Sequence, residues 1–242
     1  MKKVLIFAML LPMVWACKKD DSVRNPDAPK DPLVQPTSIS MLAFDTTYLT
    51  ADSPFAYTMA TSDSCVVRPL NDTLGVVALV VGEATITVSD TQGHSQVVPV
   101  VVKPRVTQFL DPQLLFGCTS SELREALGKP LSDKSSGTTR RLFYKLSADG
   151  VAYTTYVFEK DSLATIYAYP ETYYQDFYSY LSERYFAETV SQTAIKYYNH
   201  FDLNRASLRI HFGYTDFGDG GFWFAEYSQY DPLDPYAAPA RD

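Results

Sequence analysis

Few side chains in this sequence are spaced for covalent chemistry. The three His and three Cys are scattered along 242 residues, and no G-x-S-x-G elbow, H-E-x-x-H helix, glycine-rich phosphate loop or C-x-x-C pair occurs. Asp216-Phe217-Gly218 stands without the rest of a kinase signature and reads as a hairpin turn. His200 and His211 fall on successive expected strands and could face one another across a ladder. Two imidazoles without a third ligand do not make a metal site. Cys65 and Cys118 sit in different expected domains and are read as buried free thiols, the alternative being a disulfide bridge between the two domains. No catalytic residue, metal ligand or cofactor is expected.

Binding chemistry is better represented. On expected strands at 194–201, 206–214 and 221–230, period-2 alternation sends Ile195, Tyr197, Leu208, Ile210, Phe212, Phe222 and Phe224 toward covering helices. It sends Lys196, Tyr198, His200, Arg209, His211, Trp223 and Tyr227 to the opposite face. Aromatic rings beside basic side chains can stack on sugars or anchor a protein partner, and Trp, Tyr and Arg are enriched in binding hot spots. The plainer alternative is that these rings cover the open sheet or pack against another domain, since Tyr is also a favoured strand residue.

The distribution of residue types shows which elements must position that face. The formal net charge of −7 supplies no basic field, which excludes nucleic acid as an expected partner. Sixteen of the 18 Tyr and 11 of the 14 Phe lie beyond residue 104, which places a domain boundary near 103–107. At the N-terminus, Lys2 and Lys3 precede an apolar run from Val4 to Trp15. That run is too short to span a bilayer and is interrupted by Pro12, so residues 1–16 read as a secretion signal. Val14-Trp15-Ala16-Cys17 resembles the lipobox at which bacterial lipoproteins are acylated on the cysteine, which implies a lipid anchor on Cys17 and contact with a membrane through that lipid. The following Lys18-Lys19-Asp20-Asp21 resembles a signal for export to the outer face of the outer membrane. Pro26, Pro29, Pro32 and Pro36 make residues 17–36 an expected extended tether.

From 37 to 104 the pattern is of short strands. Ala84, Ile86 and Val88 alternate with Thr85, Thr87 and Ser89, Asp90-Thr91-Gln92-Gly93 forms a turn, and a valine-rich strand closes the segment, with Pro99 confining that strand to an edge or a bulge. The stretch Leu74-Gly75-Val76 through Gly82-Glu83-Ala84-Thr85-Ile86-Thr87-Val88 resembles the bacterial group 2 immunoglobulin-like domains. That resemblance implies an all-β sandwich serving as a surface spacer.

From 105 to 230 the reading is an α+β domain. Thr119-Ser120-Ser121-Glu122 is a capping box opening a helix through Leu127 that Gly128 and Pro130 end. Strands at 140–146, 151–159 and 163–169 follow. A second helix over 171–187, with Tyr174, Phe177, Tyr178, Leu181 and Tyr185 as its stripe, precedes the three strands already named. Two helix-plus-three-strand units in tandem would form one antiparallel sheet with helices on one face. Gly117-Cys118-Thr119 through Leu127-Gly128-Lys129-Pro130, followed by Tyr144 and Tyr156-Val157-Phe158, resembles the SmpA/OmlA type of outer-membrane assembly lipoproteins. A secreted β-lactamase inhibitor with two such units belongs to the same superfamily. Residues 231–242 read as a loose tail.

Together these features describe a non-enzymatic lipoprotein anchored to the outer membrane and displayed at the cell surface, its immunoglobulin-like spacer presenting a module that binds an extracellular protein or glycan. Alternatives are a periplasm-facing assembly or scaffold lipoprotein and an inhibitor of a secreted enzyme. Oligomeric state and ligand are not encoded in any feature of the sequence.

Overall fold

The computed structural model describes residues 33–51, 56–147, 152–170, 174–191, 193–216 and 221–233. The expected signal peptide, Cys17 and most of the expected tether lie outside them, as do residues 148–151 and 217–220 and the expected tail beyond 233.

The chain is mostly β-strand. Its first part holds β1 (Ile39–Leu42), β2 (Thr46–Tyr48), β3 (Tyr57–Thr61), β4 (Val67–Leu70), β5 (Gly75–Ala78), β6 (Gly82–Asp90) and β7 (Ser95–Lys103). They form a four-stranded sheet in the order β1-β7-β6-β3 and a three-stranded sheet in the order β2-β5-β4. The alternation in β6 has the burial it requires: Ala84, Ile86 and Val88 are buried while Thr85 and Thr87 are half-exposed. These residues share one core with Val98, Val100 and Val102 of β7 and with Val67, Val76 and Ala78 of the other sheet. A Cβ at Gly82 would lie 2.9 Å from Val66 Cγ2, so the close approach of the chain to Val66 demands glycine there.

Two expectations for this part need correction. Pro99 lies on a strand with neighbours on both sides, but the β1 ladder starts only at Val100, opposite Ile39. The missing N–H of Pro99 therefore falls just outside that ladder. The tether also ends earlier than Pro36. Val34 is 1% exposed in the core of this part, and Gln35 exchanges backbone hydrogen bonds with Thr50 at 2.8 and 2.7 Å. Burying the apolar Val34 outweighs the extended preference of the proline-rich segment.

The second part holds α1 (Ser120–Leu127), β8 (Ser132–Ser136), β9 (Thr139–Lys145), β10 (Tyr153–Glu159), β11 (Ser162–Tyr169), α2 (Tyr174–Ser182), β12 (Phe186–Ser191), β13 (Ala194–Tyr198), β14 (Leu208–Asp216) and β15 (Gly221–Gln229). Its eight strands make one sheet ordered β12-β13-β14-β15-β11-β10-β9-β8, with every pairing antiparallel. Each half is a four-stranded meander entered from a helix, and the halves join where β11 pairs with β15 at Ile166↔Tyr227.

Three strands per half were expected and four are present. β8 reads Ser-Asp-Lys-Ser-Ser, with no apolar alternation to announce it. The expected second helix overlaps the first two residues of β12, Phe186 and Ala187, and ends at Ser182 rather than at Ala187. The helix is also rotated from the expected stripe. Phe177, Tyr180 and Leu181, at i, i+3 and i+4, are buried, whereas Tyr174 and Tyr178 are exposed.

At α1 the capping box is realised. Thr119 Oγ1 accepts from the Glu122 amide at 3.3 Å, and the Glu122 carboxylate accepts from the Thr119 amide at 2.8 Å, which holds the Glu122 carboxyl below its ordinary range. Gly128, at φ 78°, ends the helix. Leu123 of α1 and Phe177, Tyr180 and Leu181 of α2 join Leu142, Tyr156, Phe158, Ile166, Ile210, Phe212, Ala225 and Tyr227 in one core. Both helices therefore cover the same face of the sheet.

Glu183, just past α2, ties the two parts together. It is 2% exposed, and its Oε2 accepts from the backbone N–H of Arg105 at 2.8 Å and of Val106 at 3.1 Å. Its carbonyl accepts from the Val81 amide at 2.7 Å. Arg105 in turn donates from Nε to the Ala43 carbonyl at 3.0 Å and pairs with Asp45.

Candidate functional site

The ladder register decides which side chains stand on the face away from the helices, because residues directly opposite each other share a face. Ile210 pairs with Tyr227, Phe212 with Ala225 and Tyr214 with Trp223, which puts Tyr227 and Trp223 on the helix side. Tyr227 is fully buried, and Trp223 packs on the core, stacked on Phe212 at 5.1 Å. The expected placement of Trp223 and Tyr227 is therefore corrected, and so is its mirror image: Phe222 and Phe224 point away from the helices. Both residue sets on β15 are aromatic, so hydrophobicity alone cannot phase this strand. The informative residue is Ala225, small enough to lie beneath the helices.

His200 also needs correction. β13 ends at Tyr198, and His200 lies in the loop beyond it, where its ring stacks on Phe201 at 4.8 Å and its Nδ1 accepts from the Asp202 amide at 2.9 Å. His211 stands opposite Lys196 and Glu226, so the two histidines do not face one another. Lys196, Tyr198, Arg209 and His211 do lie on the expected face. Tyr198 is covered there: it is 5% exposed, donates from its hydroxyl to Glu188 Oε2 at 3.1 Å and packs edge-on against Tyr230.

What occupies the middle of this open face is an unbroken run of rings from three strands. His211 lies 6.0 Å from Phe224, Phe224 lies 6.3 Å from Tyr167, Tyr167 stacks beside Tyr169 at 6.3 Å, and Tyr169 meets Phe222 edge-on at 5.6 Å. Phe143 and Tyr153, with Tyr169 and Phe222 of the run and with Trp223 near the start of β15, wall a cleft of about 290 Å³. Burial among these rings, with the neighbouring Tyr167, pushes the Tyr169 phenol up to about 12. Around them the register places Lys134, Arg141, Lys145, Lys196 and Arg209 against Glu159, Glu188 and Glu226. This face carries more positive than negative charge in a chain whose net charge is −7. Tyr167 and Tyr169 were read as strand residues with no assigned face. The alternation Thr165, Tyr167, Tyr169 against Ile166 and Ala168 was the signal that could have found them.

Both remaining thiols are free. Cys65 is buried and Cys118 half-buried, and burial raises each above its ordinary value. Cys65 lies in a polar cleft of about 330 Å³ with Asp63, His200 and Arg205. A thiol with a raised pKa is a poor nucleophile at neutral pH. Among the described residues no three His, Cys, Asp or Glu side chains gather to hold a metal, and no helix is long and apolar enough to cross a membrane.

No known protein family and no curated protein matches the chain. Two solved structures are similar at a low level. A cysteine-rich secretory protein from Staphylococcus aureus subsp. aureus Mu50 has 10% identity over 47% of this chain and 44% of that one, with a TM-score of 0.26. An extracellular protein containing a SCP domain from Bacillus anthracis str. Ames has 13% identity over 55% and 51%, with a TM-score of 0.27. The chain thus spans about half the length of these two structures, and similarity of this degree assigns neither fold nor function.

Proposed function

We propose that this chain is a lipid-anchored, surface-displayed recognition protein. In this reading Cys17 carries the lipid, an immunoglobulin-like sandwich acts as spacer, and a tandem helix-plus-sheet module binds an extracellular protein through its open face. The observation that carries the reading is the ring run His211–Phe224–Tyr167–Tyr169–Phe222 on the face that neither helix covers.

The dimensions favour a protein partner on this face. Seven inter-strand spacings of about 4.8 Å span roughly 34 Å, and strands of this length add roughly 24 Å in the other direction. That is about 800 Å², one side of a standard protein interface. Apolar rings at the centre with lysines, arginines and glutamates around them follow the usual arrangement of an anchoring core inside a polar rim. In this reading the His211 imidazole, set beside Phe224 and opposite Lys196 and Glu226, belongs to the binding face.

Two experiments test the proposal. Protease added to intact cells should degrade the protein. If it survives intact cells and is lost only on lysis, surface display is wrong. Replacing Tyr169 and Phe222 with Ser should abolish capture of a discrete extracellular partner in a protein that circular dichroism still shows folded at the capture temperature. Equal capture by the variant would remove the open face from consideration.

A further inference from the structure

A second aromatic site lies at one end of the sheet on the helix side, sharing with the open-face cleft only Trp223 near the start of β15. It is a groove of about 380 Å³ between α2 and the ends of β13, β14 and β15, with Ile195 and Phe212 among its lining. Trp223 stands in its wall. Tyr174 stacks on Trp223 with ring centres 5.3 Å apart and planes only 7° from parallel, and Phe212 backs the indole from the core. Tyr178, exposed on the same helix, supplies a further ring.

The polar lining consists of Gln175, Ser179 and Thr193. Gln175 donates from Nε2 to the Tyr174 hydroxyl at 3.3 Å, which ties the amide to the stacked ring. Ser179 donates to the Gln175 carbonyl at 3.2 Å, and Ser191 Oγ accepts from the Thr193 amide at 3.2 Å. Amide and hydroxyl groups can both donate and accept, so this rim suits a ligand made of hydroxyls.

The charge of the lining is informative. Among the described residues no Asp, Glu, Lys, Arg or His lines this groove, although a fifth of the chain is charged. The other polar clefts are different: Asp111, Lys129 and Lys145 line one, and Asp63, His200 and Arg205 another. An anionic or cationic ligand would meet no counter-charge here and would lose hydration on entering. A purely apolar ligand would leave Gln175, Ser179 and Thr193 unmatched.

We infer that this groove binds a neutral saccharide, one or two rings of an uncharged glycan. The C–H face of a pyranose would lie on the exposed rings of Tyr174 and Tyr178 beside the half-buried Trp223, and its hydroxyls would exchange hydrogen bonds with Gln175, Ser179 and Thr193. Ring planes offer flat apolar area at little conformational cost, and the short polar side chains set orientation.

Trp223 is also the reporter. The chain has two tryptophans, so replacing Trp15 with Phe in the full chain leaves Trp223 as the sole indole. The experiment titrates that protein with cellohexaose, xylohexaose, mannohexaose, maltohexaose and chitohexaose, with hexagalacturonate and a decaproline peptide as contrasts. Binding is measured by Trp223 emission and, independently, by calorimetry. At least one neutral hexasaccharide should give a saturable shift. Tyr174→Ala and Gln175→Ala should each weaken it by roughly tenfold or more with the melting temperature nearly unchanged, since both residues are exposed. Tyr167→Ala, on the open face and in the lining of neither cleft, should bind the sugar normally, so the groove and the open face succeed or fail separately. The inference is overturned if no neutral hexasaccharide binds at about 10 mM (a free energy of only about −3 kcal/mol). It is also overturned if only hexagalacturonate or decaproline binds, or if the Tyr174 and Gln175 variants bind as tightly as the parent.

Discussion

Glu183 makes a stringent test of how the two parts of the chain are held together. Replacing it with Ala removes the acceptor of two backbone N–H groups, Arg105 at 2.8 Å and Val106 at 3.1 Å, at a site where the side chain is nearly inaccessible. Each buried donor left without a partner costs about 1–3 kcal/mol, and partial hydration of the opened site returns some of that, so the net loss is about 2–5 kcal/mol. For a folded region of some 200 residues, 1 kcal/mol moves the melting temperature by about 2–4 °C, and the expected fall is roughly 5–15 °C. Glu183→Gln keeps one carbonyl oxygen and should lose about half as much. Thermal denaturation followed by circular dichroism measures this. Trypsin gives a local readout, because cleavage after Arg105 should accelerate in Glu183→Ala well before global unfolding. A melting temperature within about 2 °C of the parent, with unchanged cleavage after Arg105, would refute the role assigned to Glu183.

Further predictions concern the second core. Among the described residues the buried Tyr227 hydroxyl has no hydrogen-bond partner, so Tyr227→Phe should leave the melting temperature unchanged or raise it, whereas Tyr227→Ala should cost about 3–5 kcal/mol in denaturant unfolding. Burial pushes the phenols of Tyr156, Tyr185 and Tyr197 up to about 12, against about 10 in an unfolded chain. Their contribution is therefore complete below pH 10 and is lost as pH rises through 12. Tyrosinate absorbance should show a cooperative step with unfolding inside that window, and independent titration near pH 10 would contradict it. Thr119→Ala removes the α1 cap and should cost about 1 kcal/mol, seen as a small shift in urea midpoint at unchanged slope.

How much was legible in the sequence depends on whether local pattern and tertiary environment agree. The alternation of Ala84, Ile86 and Val88 and the capping box at Thr119 are local signals, and both elements form where they were expected. β8 was invisible because an edge strand of Ser, Asp and Lys owes its place to pairing with β9 and to Asp133. The Asp133 carboxylate accepts from Arg140 at 2.9–3.0 Å and also pairs with Arg124, and these partners hold it down at about 2. The face of β15 could not be phased from composition, since rings stand on both of its sides, and a one-residue slip exchanges Trp223 and Tyr227 for Phe222 and Phe224. Glu183 carried no signal at all: its role exists only because α2 ends beside Arg105, nearly eighty residues away.

The open face is the centre of this account, and site-specific photocrosslinking addresses it most directly. A benzophenone side chain placed at Phe222, in the ring run, and at Val97, exposed on β7, would be activated on cells displaying the full protein. The account predicts a discrete protein adduct from position 222 that is lost when Tyr169 is also changed to Ser, and no such adduct from position 97. Adducts from position 97 alone, or from neither position, would contradict it.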